Sequence, residues 1–494
     1  MSILPNALYS AAQTRELDRL AFEQHQLSSP ILMARAGKAA LKMLQQQWPF
    51  SRNILIVCGH GHNGGDGFEL AKQATQAGFS AHIVFVGAID SMSEAVKASY
   101  QSALTSGIQI QTLQDEWPES DLLVDALLGT GINREVSGDY GLAIDKINSL
   151  SNTPVFALDI PSGLNADTGS VMGKAVKADK TLSFIGINIG LMSHDGPDHA
   201  GEIHYVDLAV PADIFSQISP LANRISLDAL LPNLAPRKRN AHKGQFGHVL
   251  IIGGNEGMSG SVNIAAQAAA RTGAGLVSVA THPSHAAFLN LSRPEIMCHG
   301  INQASDLSPL IDKATVICIG PGLGQDEWAQ LVLHAALAAE KPMVVDADAL
   351  NLLSQHPSCP NNWVLTPHPG EAATLLGISN SEVQNNRIEA AHTLQKKYGG
   401  TVVLKGCGSL VCSEDGLLLS PFGNPGMSSG GMGDCLTGII GGLLAQHFPI
   451  KLATQMAVAL HGLAADNAAK VNGECGLLAL DLLPFLQRLI NQKD

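Results

Sequence analysis

The stretch NILIVCGHGHNGGDGFELAKQATQAGF, residues 53–79, decides how the first half of the chain folds. A short apolar run, Asn53 to Cys58, ends in a glycine-rich loop that leads into a helical pattern. A continuous apolar run of this length reads as a strand buried on both faces, as in a parallel sheet. Working outward, the same alternation recurs in SAHIVFVG, DLLVDALLG, TPVFALDIP, KTLSFIG and EIHYVDL. Two helical patterns, SAAQTRELDRLAFEQHQ and ILMARAGKAALKMLQQQ, precede them. A second series begins with GHVLIIGG at residue 247 and continues through LVSVA, TVICIG, MVVDAD, WVLTP, TVVLKG and LVCS. The expected class is therefore α/β, with two domains, residues 1–222 and 223–494, and no repeat relating them. Their boundary falls in a Pro-rich segment, residues 211–244.

Of the 494 residues, 45% are hydrophobic and 15% charged, enough apolar material for two cores and too much for a disordered chain. The net charge of −13 is spread along the sequence, and the one dense basic cluster is Arg237, Lys238 and Arg239. Nucleic acid is not an expected partner. The N-terminus lacks a basic start followed by an apolar core, so no secretory signal is expected. The longest apolar candidate, CLTGIIGGLLAQHF (435–448), is short and broken by glycine, so no membrane span is expected either. Eight cysteines form no C-x-x-C pair and read mostly as small buried residues of a reducing, cytoplasmic protein.

Gly59, Gly61 and Gly64 satisfy G-x-G-x-x-G, which raises the possibility of a dinucleotide cofactor. A Rossmann loop also expects a ribose-binding carboxylate about 20 residues on. Here the first acid after the second run, Asp90, comes late, and the loop itself carries His60, His62, Asn63 and Asp66. Other strand ends carry similar groups: Asp125 before the loop Gly129-Thr130-Gly131, and Asp159 before Ile160-Pro161-Ser162-Gly163. In open α/β sheets these ends are where ligands bind. Asn63, Asp125 and Ser162 could converge as hard oxygen ligands, and a set with one carboxylate suits a monovalent cation. Taken singly, an acid or serine after a strand is as readily a helix cap.

GHGHNGGDG, DALLGTG and ALDIPSGLNADTG, taken in order, resemble the N-terminal YjeF domain of the NAD(P)H-hydrate epimerases, over roughly residues 10–215. The resemblance implies a potassium site at Asn63, Asp125 and Ser162. It implies a substrate pocket formed by His62, Asn63, Gly64, Gly65 and Asp66, by Gly129, Thr130, Gly131, Ile132, Asn133, Arg134 and Glu135, and by Tyr140 and Asp159. His62 stands where that family usually has Asn. The dinucleotide then enters as damaged substrate, hydroxylated at C6 of its nicotinamide ring. Asp159 is the first candidate for the acid/base group and Asp66 the second.

In the second half, NPGMSSGGMGDCLTGIIGGLLAQ (424–446) runs a glycine turn into an apolar helix, with Asp434 at its start. The free amides of such a start bind anions. Asp434 is then either an N-cap or a group that works on a substrate hydroxyl. No G-x-x-x-x-G-K-[ST] occurs, so this is not a P-loop. The stretch resembles the G-x-G-D anion hole of the ribokinase-like fold. With KGQFGHVLIIGGNEGMSGS, CIGPGLG, VVDADALN, LTPHPGE and VLKGCGS it resembles the ADP-dependent NAD(P)H-hydrate dehydratases over roughly residues 225–490. That resemblance implies ADP held by Lys405, Gly406, Cys407, Gly408, Ser409 and Gly433. Ser261, Gly324, His368 and Asp434 would face the hydrated nicotinamide, with Asp434 as catalytic base. Ser261 stands where Ala is expected, and Glu371 would either help organise Mg²⁺ or cap a helix. The partners implied are small molecules, hydrated NADH or NADPH and ADP, in a homo-oligomer. Competing readings are an ATP-using ribokinase-like kinase with a regulatory domain, and an N-terminal half that only binds.

Overall fold

The structure, a computed structural model, describes residues 4–355 and 357–492. The outermost ends of the two expected domains, residues 1–3 and 493–494, lie outside the described residues. The chain forms two compact units, Met1–Asn223 and Arg224–Asp494.

Strands of the N-terminal unit are β1 (Ala7–Tyr9), β2 (Asn53–Cys58), β3 (Ser80–Phe85), β4 (Gln109–Thr112), β5 (Leu122–Ala126), β6 (Val155–Leu158), β7 (Lys180–Phe184), β8 (Ile187–Asn188), β9 (Glu202–Val206) and β10 (Ala222–Arg224). Seven of them make one sheet in the order β4-β3-β2-β5-β6-β7-β9, parallel throughout. The continuous apolar run of β2 has a simple cause. Ile54, Ile56 and Cys58 enter a core with Phe68 and Leu70 of helix His62–Gln76. Leu55 and Val57 enter a second core with Ala143, Ile144 and Ile147 of helix Gly138–Ser149. Alternate side chains thus bury on opposite faces, giving three layers. The sequence reading passed over β4. Its residues, Gln109-Ile110-Gln111-Thr112, are a short polar-apolar alternation at a sheet edge.

The C-terminal unit contains β11 (His248–Ile252), β12 (Leu276–Thr281), β13 (Met297–Gly300), β14 (Val316–Ile319), β15 (Met343–Val345), β16 (Trp363–Leu365), β17 (Thr401–Leu404), β18 (Leu410–Ser413) and β19 (Gly416–Leu419). They run in the order β13-β12-β11-β14-β15-β16-β17-β18-β19. Strands β11 to β17 are parallel, and β17, β18 and β19 pair antiparallel. Because the central strands share one direction, Asp346 after β15, the Pro367-His368 turn after β16 and Lys405 after β17 all leave from one edge of the sheet. The apolar stretch at 435–448 forms most of helix Met432–Ala445, buried against helix Ser259–Thr272. A Cβ on Gly438 would stand 2.8 Å from the Cβ of Ala268, so small residues permit this close packing. Among the described residues no helix is long and apolar enough to cross a membrane.

Candidate active sites

In the N-terminal unit the loop after β2 and the loops after β5 and β6 surround a cavity of about 1180 Å³. Its walls include His62, Asn63, Asp66, every residue from Gly129 to Glu135, Tyr140 and Asp159. Gly64 and Gly65 do not reach the wall; they act as spacers beneath it. A side chain on Gly64 would strike the carbonyl oxygen of Gly59, and one on Gly65 the sulfur of Met33. Asp90 sits apart from the cavity in an exposed turn, Ile89–Ser91.

Beside this cavity Asp125 and Ser162 are bonded directly, and Asn63 is linked to them through Leu128. The Ser162 hydroxyl donates to Asp125 Oδ1 at 2.6 Å, and the Ser162 amide donates to Oδ2 at 2.7 Å. The Leu128 amide donates to Ser162 Oγ at 2.7 Å, while Asn63 Nδ2 donates to the Leu128 carbonyl at 2.9 Å. No helix begins directly after Asp125 or Ser162, so neither is a helix cap. Asn63 Oδ1 is buried without a hydrogen-bond partner, and burial pushes the Asp125 carboxyl up to about 6. An orphaned buried oxygen beside a buried carboxyl lacks a positive partner, and a cation of low charge fits that deficit.

Three carboxyls line the same cavity. Asp159 is pushed up to about 7, chiefly by burial and then by the charge of Asp18; backbone amides of Phe184 and Thr130 act against this. Its φ of +63° is one that Asp and Asn tolerate better than most residues. Asp66 lies well above the usual carboxylate range, through burial first and then the charges of Asp159, Asp18 and Glu69. Asp18, accessible to the cavity but crowded by its walls, is pushed up to about 6. The sequence reading missed Asp18. His60, noted in the loop but not among the expected pocket residues, also lines the cavity; its Nδ1 lies 2.5 Å from the Tyr140 hydroxyl and helps hold that ring in the wall.

The C-terminal site centres on Gly431, whose φ of +91° makes it the N-cap of helix Met432–Ala445. Asp434 lies inside the first turn and is not the cap, and no side chain caps the first amides. Burial first, and then the charge of Asp346, push Asp434 up to about 6; the Ser261 hydroxyl donates to it and opposes the rise. The unexpected serine thus lowers the carboxyl of the expected base. A Cβ on Gly433 would sit 3.2 Å from Lys405 Nζ, so the ammonium lies close to the glycine turn.

Lys405 Nζ is 2.8 Å from Asp346 Oδ1 and 3.7 Å from Glu371 Oε2. Burial disfavours its charge, yet these two carboxylates hold it above the usual lysine range. Asp346 lies below its usual range because Lys405, with the hydroxyls of Thr437 and Thr366, outweighs its burial. The loop after β17 is fixed from behind by Arg387, 3% exposed, which donates to the carbonyls of Leu404, Lys405, Cys407 and Gly408. Within the loop, Ser409 Oγ accepts from the Gly406 amide at 3.3 Å. Neither Arg387 nor Asp346 was singled out from sequence. The Gly324 amide donates to Asp348 at 2.9 Å.

His368 is the N-cap of helix Pro369–Leu376. Its Nδ1 accepts from the amides of Gly370 and Glu371, and Glu371 Oε2 accepts from the His368 amide at 2.7 Å. Glu371 therefore does complete a capping box. Among the described residues no three His, Cys, Asp or Glu side chains gather into a metal-binding group. One or two carboxylates with substrate phosphates is the donor set that Mg²⁺ ordinarily uses.

The fold and sites define a two-unit α/β protein, with a carboxyl-lined cavity in one unit and an open, glycine-rich helix start in the other. A family model described as YjeF-related protein N-terminus matches residues 29–190, and one described as NAD(P)H-hydrate dehydratase matches residues 249–488. The chain is 45% identical to the bifunctional NAD(P)H-hydrate repair enzyme of Coxiella burnetii, across 98% of this chain and 99% of that one. It is 40% identical to that of Escherichia coli, across 99% and 95%. The chain belongs to the bifunctional NAD(P)H-hydrate repair enzyme family. Among solved structures, a ribokinase-like superfamily protein of Enterococcus faecalis matches with TM-score 0.51 and 32% identity, over 55% of this chain and 95% of that one. The ADP/ATP-dependent NAD(P)H-hydrate dehydratase of Bacillus subtilis, co-crystallised with ATP/Mg²⁺, matches with TM-score 0.50 and 30% identity, over 55% and 98%. The C-terminal unit is ribokinase-like.

Proposed function

We propose that this chain repairs hydrated NADH and NADPH. The N-terminal domain, residues 1–222, interconverts the R and S hydrates, and the C-terminal domain, residues 223–494, dehydrates the S form at the expense of ADP. The observation that carries the reading is Asp434: a half-buried carboxyl inside the first turn of an uncapped helix, hydrogen-bonded by Ser261, with Lys405 beside the turn. Amides and an ammonium suit a phosphoryl group, and a carboxylate among them suits a hydroxyl.

In this reading Asp434 takes the proton of the C6 hydroxyl, whose oxygen attacks the terminal phosphoryl of ADP and releases AMP. The ring nitrogen then expels phosphate from C6, and loss of a ring proton restores the reduced nicotinamide. Lys405 and the amides of the turn from Gly431 to Asp434 hold the phosphoryl oxygens as charge shifts among them. Lys405 to Ser409 bind the nucleotide; Ser261, Gly324 and His368 face the hydrated ring. Mg²⁺, near Glu371, supplies neutralisation of phosphate charge.

In the other unit Asp159 moves the proton at the C6 hydroxyl. Asn63 Oδ1, Asp125 and Ser162 hold K⁺, which supplies positive charge beside the loops that carry the substrate. Arg15 and Arg134, in the cavity wall with no ion-pair partner among the described residues, suit the phosphates of a dinucleotide. We take the setting to be cytoplasmic and the working form to be a homo-oligomer.

The test is recovery of reduced-nicotinamide absorbance from a mixture of both epimers with Mg²⁺, K⁺ and ADP. Complete recovery is expected. Recovery stopping near half would remove the epimerase assignment, and none with ADP or ATP would remove both.

A further inference from the structure

One wall of the N-terminal cavity comes from helix Ala11–His25, which precedes the matched segment 29–190. Thr14, Asp18 and Phe22 line the cavity from this helix. Their spacing of four places them on one face. The helix is fixed at its start. Ser10 and Gln13 form a capping box, the Ala11 amide donates to Asp167 at 2.6 Å, and Gln13 donates to the Ser219 carbonyl at 2.8 Å. Asp18 thus enters the cavity from a different element than Asp159, which stands after β6. No ion pair engages either carboxyl among the described residues.

We propose that Asp18 is a second catalytic residue of this cavity, moving the proton on one face of C6 while Asp159 moves it on the other. The inference rests on the epimerase reading above. Inversion at C6 requires hydroxyl to leave from one face and water to add to the other. A single fixed carboxyl cannot reach a hydroxyl on both faces of a held ring, because proton transfer requires hydrogen-bond distance. Two carboxyls on separate walls remove that conflict.

Asp159, protonated, gives its proton to the C6 hydroxyl; the C–O bond breaks, water leaves, and the ring-nitrogen lone pair forms C=N⁺. A water then adds to C6 from the other face, its proton passes to the Asp18 carboxylate, and the C=N⁺ electron pair returns to nitrogen. One water is exchanged for another and one proton has moved from Asp159 to Asp18. Epimerisation in the opposite direction starts from that state. No oxidant or other co-reactant is needed.

The experiment uses the full chain, K⁺ and a single hydrate epimer in ¹⁸O-labelled water, following inversion and label entry at C6 separately. Wild-type enzyme comes first: no inversion there removes the epimerase reading itself, whatever Asp18 does. Given an active wild type, Asp18→Asn is expected to slow inversion on the order of 10²-fold. Label entry with retention of configuration should continue through Asp159. Dehydration of the S hydrate should be unchanged, and Asp18→Glu should restore part of the inversion. Inversion by Asp18→Asn at the wild-type rate would overturn the proposal. So would equal loss of inversion and label entry in a variant whose unfolding midpoint is unchanged. If Asp18→Asn does not fold, Asp18→Glu decides alone: a folded Glu variant that inverts at the wild-type rate or not at all overturns the proposal, and one with slowed inversion but undiminished label entry supports it.

Discussion

In the N-terminal cavity Asp18, Asp66 and Asp159 share a space with no ion-paired cation among them, and all three lie above the usual carboxylate range. At the C-terminal turn Asp346 is paired with Lys405 and lies below that range, while Asp434 is raised but steadied by Ser261. The difference separates two tasks. Uncompensated carboxyls raised above their usual range can exchange protons with an uncharged hydroxyl. A carboxylate-lysine pair under open amides holds its charge and can keep a phosphoryl group in place while one raised acid acts as base.

The sharpest way to break this contrast is Asp434→Asn. Dehydration is expected to fall on the order of 10³-fold while R–S interconversion stays unchanged, read by separate assays on one preparation. Asp159→Asn should do the converse, slowing interconversion on the order of 10²-fold, so that recovery from a mixed hydrate pool stalls near half. Asn tolerates the left-handed backbone at this position, so unfolding should be little affected. Asn63→Ala removes the orphaned oxygen, and added K⁺ should then no longer raise the unfolding midpoint. In the wild type K⁺ should raise it, as any ligand of the folded state does. The smallest effect is expected for Ser261→Ala. Its hydroxyl lowers Asp434, so its loss should raise that carboxyl further above about 6. The base works ionised, so the acid limb of the dehydration profile should move to higher pH, by less than about one unit.

The parallel sheets and the strand-end motifs were legible because continuous apolar runs followed by glycine loops have few other structural solutions. The cluster of Asn63, Asp125 and Ser162 could be anticipated as a set, although spacing alone left a capping reading open. What escaped were groups whose role depends on distant chain. Asp18 sits in a charged helical pattern, RELDRL, that reads as a solvent face. It faces a cavity only because that helix lies over the ends of β2, β5 and β6, which are distant in the chain. Arg387, in NNRIEAAH, likewise looks like one more surface charge. Edge strands such as β4 were missed because four half-polar residues carry too little periodicity to stand out.

Arg387 also bears on the entropy of the loop it holds. One guanidinium ties together four carbonyls of residues 404–408, so freeing any one of them strips a partner from a buried cation. The loop must therefore open as a unit or stay closed. Its ordering cost is met when the chain folds, so a ligand of this loop finds it already set. Amide hydrogen exchange across this loop should consequently be slow in the free enzyme and change little when nucleotide is added.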